Sequence, residues 1–135
     1  MAGDEKIIAQ TFTDYVQAFQ TLKPQAVLSY FDAPCVFISV QGVVVMTNPT
    51  EIETLVGRMM AGLKACGYGW SELTGLQVSQ MSETIACVRV SRIRYKTDKQ
   101  ELERLGKTYR LRKNHCDWKI VAAVSHDADS ILCKR

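Results

Sequence analysis

Two histidines and a cysteine are the most reactive side chains in the stretch KTYRLRKNHCDWKIVAAVSHD, Lys107 to Asp127. His115 and Cys116 are adjacent, and His126 stands near the end. A cysteine beside a histidine could be a nucleophile with its base, and a lone histidine could move a proton near neutral pH. The adjacent pair sits in KNHCD, a polar knot between two apolar runs, which reads as the tight turn of a β-hairpin. Neighbours on a turn rarely point together, so the pair is set aside as a surface turn. The knot's use is to set the register of the strands on either side.

With NHCD as the turn, Leu111 faces Ile120, Tyr109 faces Ala122, and Leu105 faces His126. With TDKQ, Thr97 to Gln100, as the preceding turn, Ala86 faces Leu111, Val88 faces Tyr109 and Arg92 faces Leu105. The same register sets Glu103 against Arg94 and Glu101 against Lys96, both favourable cross-strand pairs. Arg92, Leu105 and His126 then form one row on the apolar face, with Tyr109 deeper in. The expected site is a polar corner in which Arg92 binds a carboxylate or another oxyanion and His126 moves a proton. A slip of one residue in either hairpin would turn these groups apart.

The elements that must position this corner follow from periodicity. DEKIIAQTFTDYVQAFQTL carries Ile8, Phe12, Tyr15, Val16, Phe19 and Leu22 at helical steps, with Asp4 and Glu5 suited to its N-terminus. Pro24 stops that helix and can open a short one, PQAVLSYF, which Pro34 closes. CVFISVQGVVVM is rich in β-branched residues and reads as a hairpin about QG. TNPTEIETLVGRMMAGLKACG predicts a helix capped by Thr50 or Asn48 and closed by Gly67, with Met59 and Leu63 on its apolar stripe. Four strand-like segments follow, 68–81, 83–96, 100–113 and 117–128, joined by short polar turns as an antiparallel meander. The order predicts an α+β domain with helices on one face of a curved sheet.

The chain has 135 residues, 47% hydrophobic and 23% charged, enough for one globular domain spanning 1–135. No apolar run approaches the roughly 20 residues that span a bilayer. MAGDEK lacks the basic start and apolar core of a signal peptide, so a cytoplasmic protein is expected. Five cysteines at Cys35, Cys66, Cys87, Cys116 and Cys133 have no C-x-x-C spacing and read as buried free thiols, with no metal site and no cofactor motif. The net charge of +3 is uneven. Residues 1–83 carry four basic and eight acidic side chains, and residues 84–135 carry thirteen and six. The basic residues alternate with apolar ones, the pattern of a strand with one solvated face, so nucleic acid is disfavoured as a partner.

Three stretches resemble the nuclear transport factor 2-like superfamily, which includes the SnoaL-like cyclases and the ketosteroid isomerases. They are YVQAFQTLKPQAVLSYFDAPCVFIS, the helix after NPTEIETL, and the closing hairpin TYRLRKNHCDWKIVAAVSHD. The resemblance implies a cone-shaped (cystatin-like) fold: a curved antiparallel sheet whose concave face is covered by helices and encloses a mostly apolar pocket. It implies a homodimer through the convex face, where Arg89, Arg104, Arg110, Arg112 and Lys119 are expected. It also implies cofactor-free proton-transfer chemistry such as isomerisation, cyclisation or dehydration of an apolar ligand, which Arg92 would allow to carry a carboxylate. Aligned to the isomerase pattern, Ser39 stands where the family's carboxylate base belongs, and Tyr15 lies near the place of an oxyanion-stabilising tyrosine. Tyr15, Phe19, Met59, Leu63, Trp70 and Tyr109 are the expected ligand-binding wall, with Arg92 and His126 as its polar groups. The alternative is a non-catalytic dimerisation or protein-binding module whose cone is filled by its own side chains. A cavity above roughly 300 Å³ with His126 on its wall would favour the ligand.

Overall fold

The computed structural model describes residues 2–128. Helix α1 spans Glu5–Phe19, and Ile8, Phe12, Tyr15, Val16 and Phe19 are its buried stripe, spaced to lie on one face. Asp4 precedes it without capping it. Its carboxylate instead accepts from Lys113 Nζ at 2.7 Å and Trp118 Nε1 at 3.0 Å. These contacts clasp the start of the chain to its last hairpin, and the hydrogen bonds, that of Lys113 first and of Trp118 second, hold the Asp4 carboxyl below the usual carboxylate range. A carboxyl depressed in the folded state lends stability that is present above its unfolded pKa and lost as pH falls through its folded one. Wild type should therefore exceed Asp4→Asn in thermal stability at neutral pH, and the gap should close below about pH 4. A gap that is constant down to strongly acidic pH would remove the clasp from the account.

Pro24 opens two short 3₁₀ turns, Pro24–Ala26 and Leu28–Tyr30, in place of one short helix. Strand β1, Phe31–Ser39, starts three residues before Pro34 and turns at Val40 and Gln41 into β2, Gly42–Met46. Gly42 takes φ +139°, a conformation that suits glycine at this turn. Helix α2, Pro49–Ala65, is capped by Asn48, whose side chain accepts from Glu51 N–H at 3.0 Å. Glu51 reaches back to the Thr47 amide at 2.6 Å, so each end of the first turn satisfies the other. Ile52, Val56, Met60 and Leu63 are its buried stripe.

Strands β3 (Tyr68–Gln80), β4 (Ile85–Lys96), β5 (Glu101–Asn114) and β6 (Asp117–Ala128) follow as the expected meander. The six strands form one curved, unclosed sheet in the order β2-β1-β6-β5-β4-β3. All neighbours are antiparallel except β1 and β6, which run parallel. Sequential strands pair directly except β2 and β3, which lie at opposite edges, and the one parallel contact is made possible by α2 and the long meander lying between β1 and β6. Both helices cover the concave face.

Register decides the site. Between β4 and β5 every pairing from Ile85↔Arg112 to Arg94↔Glu103 is the expected one, including Arg92↔Leu105. A bulge then sets Glu101 against Tyr95 rather than Lys96. Between β5 and β6 the expected pairing holds only from Asn114↔Asp117 to Leu111↔Ile120. Val121 is an extra residue, so Tyr109 pairs with Ala123 rather than Ala122. His126 is a second extra residue, and Leu105 pairs with Ala128. Two bulges have moved β6 relative to a simple alternation.

The cysteines depart in part from free buried thiols. Cys35, Cys87 and Cys116 are free, but Cys116 is exposed on the turn and Cys66 is disulfide-bonded. Burial pushes the Cys35 thiol up to about 12, so it is an inert core group. Cys133 lies outside the described residues.

Candidate functional site

On the concave face β4 presents Val88, Val90, Arg92 and Arg94 at alternate positions, all buried. Opposite them β5 presents Tyr109, Lys107, Leu105 and Glu103, also buried. Arg92 is 2% exposed and donates from Nη2 to the Tyr109 hydroxyl at 3.2 Å. Arg94 donates from Nη1 to Glu103 Oε2 at 2.5 Å, and both side chains are under 10% exposed. Both guanidinium groups lie over the Phe19 ring, with their carbons 5.7 and 5.6 Å from its centroid. Close by, the Tyr68 hydroxyl and the Ser71 hydroxyl share a hydrogen bond of 2.6 Å. A bulge between Tyr68 and Trp70 lets these two residues, three apart, face the same side.

This cluster holds two arginines against one carboxylate. Burial, first, and the charge of Arg92, second, press the Arg94 guanidinium toward losing its proton, and Glu103 opposes them. Arginine keeps its proton regardless, so the repulsion stays in the folded state. The Arg92 Nε, Arg94 Nε and Arg94 Nη2 groups are buried and have no hydrogen-bond partner among the described residues. Each such donor costs about 1–3 kcal/mol, more when it is charged.

The expected site residues fall into three places. Tyr15, Phe19 and Tyr109 are core groups with Phe12. Tyr109 lies 4.6 Å from Phe12 and 6.2 Å from Tyr15 between ring centroids. Tyr15 is packed rather than poised: burial above all raises its phenol well beyond the usual tyrosine range. Leu63 is likewise buried in the core. Met59 is half-buried and lines a cavity of about 220 Å³ beside Leu55, Phe37, Val44, Ala123 and Lys107. Ser39 and Ser125 also reach this cavity.

His126 and Trp70 are elsewhere. His126 is exposed on the outer face, with Nε2 3.0 Å from Thr108 Oγ1, because the bulge it forms turns it away from Leu105. It borders an outer groove of about 450 Å³ in which Gly75, Ser91 and Gly106 form a row without bulk. The corner of Arg92 and His126 is therefore not formed. Trp70 stacks on Tyr95 at 4.8 Å on the side opposite Ser71, so it is no part of the cone's wall. Gly69, the residue before Trp70, is hemmed in: a Cβ there would meet the Thr97 amide nitrogen at 2.9 Å.

Sequence reasoning passed over Arg94 and Glu103 as a site, although it paired them. The signal was present: Arg92 and Arg94 are two apart, so whatever face one occupies the other shares. Lys107 shares that parity with Leu105 and Tyr109 and was also passed over. Among the described residues no group of three or more His, Cys, Asp or Glu is placed to hold a metal ion.

A curved sheet with helices on its concave face and a part-filled interior defines an NTF2-like, cystatin-like cone. The chain belongs to the NTF2-like protein (DUF6841) family, whose model matches residues 4–128. A comparison with curated proteins finds no match. Among solved structures, a Nostoc punctiforme protein of unknown function with a cystatin-like fold aligns with a TM-score of 0.76 at 12% identity, covering 96% of this chain and 93% of that one. An NTF2-like protein of unknown function from Pseudomonas putida aligns with a TM-score of 0.75 at 14% identity, covering 93% and 87%. A ketosteroid isomerase-like protein from Erwinia carotovora aligns with a TM-score of 0.72 at 16% identity, covering 97% and 100%. At these identities the likeness is one of fold.

Proposed function

We propose that the protein binds a small, mostly apolar molecule inside the cone. The observation that carries this is the cavity of about 220 Å³ between α2, the β1–β2 hairpin and β6. Its wall is apolar over Phe37, Ile38, Val44, Leu55, Met59 and Ala123, with Lys107, Ser125, Ser39 and Gln41 as polar groups, a make-up that suits a small-ligand site. The cavity is smaller than the roughly 300 Å³ expected above for a ligand site and His126 is not on its wall, yet its volume exceeds the ~150 Å³ that takes up benzene. A single ring or a short chain fits that range.

Binding is a better reading than proton transfer. Ser39, at the position of the isomerase base, is an exposed hydroxyl on the cavity rim and cannot take a carbon-bound proton without a base of its own. Glu103, the buried carboxylate, is held by Arg94. A second reading, a dimerisation or protein-binding module without a ligand, is favoured by the ring cluster of Phe12, Tyr15 and Tyr109, which packs the interior with side chains. In either case the reading includes a cytoplasmic homodimer through the outer face, where Arg89, Arg104, Arg110 and Arg112 are exposed. No helix among the described residues is long and apolar enough to cross a membrane.

Native mass spectrometry with a library of small aromatic and short-chain compounds tests both parts at once. The expected result is a dimer that retains one defined ligand per chain, and a Met59→Trp variant that folds but loses it. Retention unchanged by Met59→Trp would take the ligand out of this cavity. A ligand-free dimer would favour the module, and a monomer at high concentration would remove the outer-face interface.

A further inference from the structure

The buried arginines are arranged for something more specific than packing. Arg94 meets Glu103 through Nη1 alone. Its Nε and Nη2, which point along one edge of the planar guanidinium, are the two N–H groups left without a partner among the described residues. That edge is the fork that receives both oxygens of a carboxylate in parallel. Arg92 adds a third unpartnered donor through Nε, and its Nη2 is already held by Tyr109. The cluster also has a surplus cation, since Glu103 can neutralise only one of the two arginines. An uncompensated buried charge costs several kcal/mol, which a bound anion would offset.

We propose that Arg94 and Arg92 form a carboxylate-binding subsite, so that the ligand of the cone is a small carboxylic acid in its ionised form, its two oxygens on the Nε–Nη2 edge of Arg94 and within reach of Arg92 Nε. This rests on the reading that the cone receives a ligand, and it names that ligand's polar end. Neither arginine lines the apolar cavity itself; Lys107, which does, lies on β5 two residues from Tyr109, which holds Arg92, so the tail in the cavity and the head on the fork would meet at Lys107. A molecule with a short apolar tail and a carboxylate head matches both. A planar two-oxygen anion satisfies the paired donors, whereas a neutral hydroxyl or a spherical anion satisfies one of them at a time.

Calorimetric titration with hexanoate and with hexan-1-ol separates the two ideas. Hexanoate should bind at least tenfold more tightly than hexan-1-ol. The preference should disappear in Arg94→Met/Glu103→Gln, which removes the fork without stranding Glu103, and should fall in Arg92→Met, which leaves the ion pair intact. Arg94→Lys, which keeps the charge and loses the edge, should retain only part of it. Equal binding of the two probes would overturn the carboxylate subsite and leave the cone reading standing. A hexanoate preference that survives both arginine variants would overturn it too. Binding of neither probe would overturn both.

Discussion

Replacing Arg94 with methionine is expected to cost about 3–5 kcal/mol of folding stability, because it strands Glu103 as a lone buried carboxylate. Arg92→Met should behave in the opposite way. Arg92 is just as buried, but it is the surplus cation, and among the described residues its hydrogen bond is to a neutral phenol, that of Tyr109. Its removal takes away a charge that nothing neutralises and should leave stability within about 1 kcal/mol of wild type, or raise it. Adding Glu103→Gln to Arg94→Met should restore most of the loss, and the double-mutant cycle gives the coupling directly. Urea unfolding followed by circular dichroism measures all five proteins: wild type, Arg94→Met, Arg92→Met, Glu103→Gln and the double variant. A mild Arg94→Met together with a severe Arg92→Met would mean that the pairing of charges has been assigned the wrong way round.

Phe12→Ala is the other large effect expected, about 3–5 kcal/mol. Phe12 is 1% exposed and fills the space between Tyr109, at 4.6 Å, and Tyr15, at 5.6 Å between ring centroids. Met59→Ala should cost no more than about half as much, since Met59 is half-buried and already borders open volume. The pair of variants thus maps the interior: packed tightly around α1, and open beside α2. If Met59→Ala proves as costly as Phe12→Ala in thermal unfolding, the cavity closes in solution and the ligand reading weakens with it.

The main lines of the fold are legible because each element carries its own local signal. Proline and glycine mark the breaks around Pro24, Asn48–Pro49 and Gly67, and the helical stripes at Ile8–Phe19 and Ile52–Leu63 are buried as their spacing implies. The β4–β5 register was readable from the TDKQ turn and from the charges it sets opposite each other, since a shift of one would have broken the Arg94–Glu103 pair. The β5–β6 register was not. IVAAV, residues 120–124, is apolar at every position, so an inserted residue leaves no mark on the alternation. Val121 is such an insertion, His126 is another, and together they carry His126 from the expected pocket face to the outer one.

What the amino-acid sequence alone determined is therefore the set of elements, their order, the cone they build, and the face that Arg92 occupies. Those depend on local periodicity and on turns, which a chain states residue by residue. The tertiary structure decided which polar groups meet inside. It buried Arg94 beside Arg92 over Phe19, left one guanidinium edge unpaired, and sent His126 and Trp70 outside. Bulges and packing distances set those outcomes, and both depend on residues far apart in the chain, where alternation carries no information.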